Sequence, residues 1–374
     1  MAAVPRSARL IAVVMFPSLM SLLRDASNPV GRRIAARTVG VLLYELELSQ
    51  LVGPLAIPGL VMLVGDASDL EGRVQAAEAL YVLATNPSLR QPLAALGLPA
   101  LVSLLEQASS PAGRYWVAGT LHHLATAPEL RQPIAEQALP GLVTLLGAAE
   151  SPEGQRRAAG AIAELAEDPG LGQDIASTAL PGLVDLLEKT ASAGGRRRAV
   201  QALAALAAVP DCREAMAGVA LPGLRSLLDS AADPKTRLMA AHAVWHLADT
   251  PELRPAIADL TLQGLVSCLD NGVELLCSGG VTGTLRCLAE TPSLQHRVMS
   301  EALPALVKVM QGPHTLECRR QACSVLCVLA DAPDLRQEML EAALPALLSL
   351  CEDSSIFDGK LEVAATLQLL SDCP

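Results

Sequence analysis

The chain has 374 residues, 51% of them apolar and only 2% aromatic, with a formal net charge of −11. That length fits two or three ordinary globular domains or one long array of small units, and so few aromatics argue against several independent ring-built cores while suiting layered helices of Leu and Ala. The negative balance excludes a general nucleic-acid binder, which needs a net basic face; the nine cysteines, all beyond residue 211 with no C-x-x-C pair, read as small buried hydrophobes in a reducing compartment.

The chain opens with MAAVPRSARLIAVVMFPSLMSLLR, which has arginines, an apolar run and no acid before Asp25. A targeting peptide has such a composition, but the repeat register described next reaches Pro5 and favours a folded first helix. Pro17, Pro58, Pro99, Pro140, Pro181, Pro222, Pro304 and Pro345 fall on a 41-residue spacing, with Gln263 in the missing slot. Two residues after each of these nine positions stands a leucine, from Leu19 and Leu60 through Leu306 and Leu347. A second proline column, Pro5, Pro87, Pro128 and onward to Pro374, is broken only at Leu46. The spacing predicts a single array over 5–373, in units 5–45, 46–86, 87–127, 128–168, 169–209, 210–250, 251–291, 292–332 and 333–373.

Each unit reads as three helices. In the fourth, a short first helix opens on Pro128-Glu129, where proline suits the first turn and the acid meets the positive helix end. A second starts at Leu139-Pro140 and runs through Leu146. A third follows Ser151-Pro152-Glu153 and carries apolar residues at 158, 162 and 165, one buried stripe. No such unit buries its apolar side alone, so the units are expected to stack on a shared core.

LPGLVTLL, AIAELA and PELRQPIAE, in their places within the unit, resemble the second, third and first helices of the armadillo repeat. HEAT repeats are the near alternative, set second because of the short first helix and the three-helix phasing. The resemblance implies an all-α, right-handed α-solenoid with three helices per repeat, whose third helices line a concave groove that binds extended peptides or other proteins. Armadillo import adapters carry Trp and Asn four residues apart on many third helices. Here those places hold Arg37 and Val41, Glu78 and Val82, Gly119 and His123, and so on to Ala365 and Leu369, so nuclear-signal recognition by that ladder is not expected.

At the angular step of an α-helix, positions 156, 160, 163, 164 and 167 of the fourth unit, and their equivalents in the other units, point away from the core stripe. All three tyrosines, Tyr44, Tyr81 and Tyr115, map there, Trp245 does too, and Trp116 sits on the edge. Rigid aromatics are the usual anchors of binding, so two patches are expected: Tyr44, Tyr81, Tyr115, His122 and His123, and then His242, Trp245 and His246. Glu164 shares the stripe. Arg33, Arg156, Arg197 and Arg320 in the first turn face Glu167, Asp249, Glu290, Asp331 and Asp372 at the far end, so a basic and an acidic wall are expected. A separate row, Arg32, Arg73, Arg114, Arg196, Arg237 and Arg319, together with Arg90, Arg131, Arg213, Arg254 and Arg336 on the first helices, points to the joints between units. The seventh unit puts Gly279, Gly280 and Gly283 in its third helix, which reads as a hinge or as drift.

No Walker loop, G-x-S-x-G, H-E-x-x-H or paired-cysteine zinc pattern occurs. His242 and His246 have metal-ligand spacing, with Cys287 and Asp249 nearest, but that set is short of a full site. The chain therefore reads as a non-catalytic scaffold for a protein or extended peptide, with no cofactor, no metal, no nucleic acid and no membrane span. Its alternative is the substrate-binding arm of a larger ubiquitin-ligase or trafficking adapter. Self-association is expected where the last third helix ends without a polar cap, and the cytoplasm or nucleus is the expected compartment.

Overall fold

The computed structural model describes residues 6–371 except 26, 45, 108–109, 149–150, 190–191, 230–232, 271–278, 313 and 353–358. All regular structure among the described residues is helical. The chain divides into two compact units, Met1–Ala202 and Leu203–Pro374. The first holds α1 (Arg6–Arg24), α2 (Pro29–Leu43), α3 (Leu46–Gly65), α4 (Leu70–Ala84), α5 (Pro87–Leu105), α6 (Pro111–Ala125), α7 (Pro128–Leu146), α8 (Pro152–Ala166) and α9 (Gly172–Lys189), and α10 (Ala193–Ala208) begins in it. The second holds α11 (Arg213–Asp229), α12 (Pro234–Ala248), α13 (Arg254–Asp270), α14 (Gly280–Ala289), α15 (Gln295–Gln311), α16 (Leu316–Ala330), α17 (Arg336–Glu352) and α18 (Gly359–Ser371).

Each repeat is thus a hairpin of two helices, not three. The expected break before Pro140 is absent, because α7 runs unbroken from Pro128 to Leu146 with Pro133 and Pro140 inside it. Proline's fixed φ is helical, so its penalty is one lost hydrogen bond and a local clash. Burial of the flanking Ile134, Ala138, Leu142 and Leu145 offsets that penalty. From the fifth unit onward the predicted first helix shrinks to a single 3₁₀ turn, such as Pro169–Leu171, leading straight into the long helix.

Local chemistry starts the second helix of each hairpin. Asn28, Asp69, Ser110, Ser151 and Ser192 recur at the repeat period and accept hydrogen bonds from the backbone N–H of Gly31, Gly72, Gly113, Gly154 and Gly195. Each N-cap contributes about 1 kcal/mol.

The helices lie in two layers within each compact unit. Odd-numbered helices pack on odd (α1 on α3, α3 on α5, α11 on α13) and even on even (α2 on α4, α4 on α6, α12 on α14), while each hairpin pairs the layers. The core runs between them. The invariant leucine column fills it, Leu60, Leu101, Leu142, Leu183, Leu224, Leu265, Leu306 and Leu347 having no exposure. The N-terminal stretch is helix α1 from Arg6, packed on α2 and α3.

Leu48–Gly65 and Pro87–Leu105 are long and apolar enough to cross a membrane by length and composition, a test that the buried core helix of a soluble protein also passes. Both windows carry interior prolines. In α3, the buried Val52, Ala56, Ile57, Leu60 and Leu63 are core side chains, and the helix packs on α1, α4 and α5.

The arginines expected at the joints have definite tasks. Arg90, Arg131, Arg213, Arg254 and Arg336 each donate Nε–H to a carbonyl at the end of the preceding even helix, those of Ala84, Ala125, Ala207, Ala248 and Ala330. Cations there satisfy orphan carbonyls and the negative helix end together. Gln295 fills the slot in the eighth unit and binds Ala289 O likewise.

Candidate binding site

The even helices carry the face to which the sequence assigned binding. In the first compact unit, Arg157 on α8 lies between three rings: its guanidinium carbon is 4.2 Å from the Tyr81 ring centre, 3.8 Å from Tyr115 and 5.1 Å from Trp116. Its Nη2 donates to the Tyr115 hydroxyl. The rings also meet each other, Tyr81 with Trp116 at 5.2 Å and with His123 at 5.3 Å. Cation–π contacts strengthen as water is excluded, and the Arg157 side chain is only 10% exposed. Beside it opens a recess of about 160 Å³ lined by Tyr81, Gly119, His122, His123, Arg156, Arg157, Gly160 and Arg198.

The first expected patch therefore holds together in part. Tyr81, Tyr115, His122, His123 and Arg156 converge, whereas Tyr44 lies 64% exposed at the end of α2 and lines a separate recess of about 420 Å³ with Arg37, Val41, Glu78 and Val82. Glu164 is half-buried and Arg197 exposed. Arg157 and Arg198 were not anticipated. Their signal is a column, since Trp116, Arg157 and Arg198 hold the same place in three successive units.

In the second compact unit Trp245 stacks on His246, ring centres 5.2 Å apart, with His242 at 6.0 Å. Here the sequence reading needs correction: positions 160 and 163 do not simply face solvent. Gly160 and Ala163 are buried, and a Cβ on Gly283 would come within 2.8 Å of the Trp245 ring. Likewise Tyr81 lies over Gly119 and His122 over Gly160. A large ring in one unit thus rests on a glycine of the next. Where the first position is small, as at Gly40, Ala163 and Ala204, the second is larger: Glu78, Gln201 and His242. These rings stabilise the joints between hairpins as well as facing outward.

The two charged walls are also largely internal. Asp249 and Glu290, at the ends of even helices, pair with Arg213 and Arg254 at the start of the odd helix of the same hairpin, at 3.5 and 3.2 Å. Among the first-turn arginines, Arg33 reaches Asp69 and Glu71 of the next hairpin. Arg156 is forked onto Glu153 and Arg320 onto Glu317 within their own helices. Neighbouring turns of one helix supply the last two pairs, and hairpin closure and stacking supply the others. Asp331 is exposed at the end of α16, and Asp372 lies outside the described residues. Among the described residues no group of three His, Cys, Asp or Glu converges as a metal cage.

Burial, and then the Arg198 charge, hold the His122 imidazole down at about 4; burial, and then His122, hold His123 at about 4. The charges bearing on the pair come from Arg90, Arg156, Arg157 and Arg198. An unfolded imidazole protonates near its ordinary value of about 6.5. Between those pH values the unfolded chain binds more protons, so stability declines as pH falls through the window. Urea unfolding at about pH 7.5 and about pH 4.5 is expected to show a loss traceable to this pair of about 5 kcal/mol at the full shifts, and of about 2 kcal/mol once solvent screening of the half-buried rings is allowed for. The doubly substituted His122→Asn, His123→Asn chain should show a correspondingly smaller pH dependence; an equal one would refute the assignment.

No family model and no curated protein matches the sequence. Among solved structures, the chain is similar to an engineered protein from the Northeast Structural Genomics Consortium, with a TM-score of 0.83 and 24% identity over 96% of this chain and 89% of that one. A second engineered protein from the same source aligns with a TM-score of 0.58 and 25% identity over 62% of this chain and 96% of the other. The chain is an all-α helical-repeat protein. These likenesses concern the fold.

Proposed function

We propose that this helical-repeat protein is a non-catalytic scaffold that binds an extended protein segment along the even-helix face of its first compact unit. The armadillo-like sequence pattern supports a right-handed superhelical array, and the two-helix units equally suit the HEAT form of that class. One observation carries the reading. Between α2 and α4, Val41 and Tyr44 stand 63% and 64% exposed at the mouth of the 420 Å³ recess. They share their helix with Ile34, also exposed. Contiguous exposed apolar side chains rimmed by polar ones, here Arg37, Gln75 and Glu78, mark protein contact surfaces.

Because these side chains are outside the core, Val41→Glu and Tyr44→Ala should leave the helical circular dichroism and melting temperature unchanged. Proteins that co-purify with the native chain from its own cells are expected to fall at least about tenfold with the double variant, the loss typical of one interface anchor. Undiminished recovery of the same proteins would sink the proposal.

A further inference from the structure

We infer that the recess around Arg157 is a phosphate subsite, taking the dianion of a phosphate monoester. The inference rests on the reading of this face as a binding face and supplies the chemistry of one point along it.

The recess is far larger than the ~10–15 Å³ that admits one water, so it has room for a group of several heavy atoms. Gly119 and Gly160 form its floor: the place of a Gly119 side chain is taken by Arg157 Nη1 and the Tyr81 ring, and that of a Gly160 side chain by His122 and Arg198. Arg157 is nine-tenths buried, yet its Nε and Nη1 have no hydrogen-bond partner. The rings of Tyr81, Tyr115 and Trp116 offset part of the cost of burying this guanidinium, and an anion would meet the donors they leave unpaired. Arg198 brings a second guanidinium, with Nη1 steadied on Gln201 Oε1 at 2.9 Å. Arg156 brings a third, forked onto Glu153.

No carboxylate belongs to the lining. Glu153 is spent on Arg156 at the rim and stands 3.9 Å from Arg157 Nε, beyond hydrogen-bond reach. Glu164 acts on Arg198 from α8. Tyr81, His122 and His123 add neutral polar groups. Two guanidiniums, Arg157 and Arg198, therefore face the recess without a carboxylate hydrogen-bonded to either. The guanidiniums of Arg156, Arg157 and Arg198 outnumber the carboxylates set against them, Glu153 and Glu164, and that surplus with several donors suits the many acceptor oxygens of a phosphate. This concentration of positive charge occurs in a chain of net charge −11, so it is a local construction and not a general basic surface.

The carrier of the phosphate, a modified side chain of a bound segment or a small phosphate ester, shares this chemistry. Titration of the full chain with inorganic phosphate at low ionic strength, followed by calorimetry, is expected to show one saturable site with a Kd of about 1 mM or tighter. Arg198→Gln should weaken it at least about tenfold, as the loss of one charged hydrogen-bonding group does, and Arg157→Met should abolish it. Should Arg157→Met unfold, Arg198→Gln at the edge still decides the matter. Phosphate is also expected to raise the His122 and His123 titrations seen by NMR. Glycerol phosphate and phosphoserine- or phosphotyrosine-bearing peptides then identify the carrier as whichever binds more tightly than inorganic phosphate. Absence of saturable phosphate binding, or binding unchanged in Arg198→Gln, overturns the inference. Neither arm touches Val41 or Tyr44, so a chain that binds phosphate normally while its Val41→Glu, Tyr44→Ala variant keeps every partner would fail on the scaffold reading alone.

Discussion

Arg73→Ala is expected to destabilise the hairpins around α4 by about 3 kcal/mol, the sum of a lost packed side chain and orphaned polar partners. Arg73 is 1% exposed. Its Nε donates to Val64 O at 2.6 Å, a carbonyl of the last turn of α3, and its Nη1 reaches Gln107 beyond the end of α5. One guanidinium therefore closes a helix end and ties two successive hairpins. Removing it leaves Val64 O buried without its donor and takes the same donor from the Gln107 amide oxygen.

The molecule contains its own control. In the fourth unit the same slot is Gln155, whose Nε2 donates to Leu146 O at 2.8 Å across the same step in the chain. Arg73→Gln should accordingly keep the helix-end bond, lose only the tie to Gln107 and cost about 1 kcal/mol. Because repeat arrays open locally, amide hydrogen exchange of α3, α4 and α5 is the measurement to make. Equal exchange in the Ala and Gln variants would show that the carbonyl bond contributes nothing.

Gly280→Ala is expected to be nearly as damaging, by about 2–3 kcal/mol, although alanine is the better helix former by about 1 kcal/mol. A Cβ there would stand 2.9 Å from His242 N and 3.1 Å from Ala241 C. These are backbone atoms of α12, so no side chain can swing aside and the two helices must separate. Gly218, inside α11 with nothing within 4 Å of its Cβ position, gives the opposite sign: Gly218→Ala should stabilise by up to about 1 kcal/mol. Thermal melts of the two variants, one lowered and one raised, check both. Gly280 and Gly283 of the seventh unit are thus packing residues. Gly280 admits the backbone of α12, Gly283 seats Trp245, and Gly279, at a φ of 108°, occupies a backbone region that side chains disfavour.

What the residues alone determined is whatever depends on neighbours in the chain. The repeat period, the caps at Asn28, Asp69, Ser110 and Ser151, and the buried leucine column are all set by short-range periodicity and capping chemistry. Tyr81, Tyr115, His122 and Trp245 were placed on an outward stripe for the same reason, because the angular position of a side chain needs only its own helix.

The tertiary structure decided what depends on a second helix. Whether Pro140 breaks a helix or merely costs it a bond turns on how much apolar surface the neighbours bury, so three predicted helices became two. Likewise Arg157 settles between rings of the two preceding hairpins, Trp245 over a glycine of the following one, and Asp249 against Arg213 at the far end of its own. Long flexible side chains find their partners only when hairpin closure and stacking have fixed the distances between helices. That stacking turns a stripe of scattered polar residues into a recess with unmet guanidinium donors.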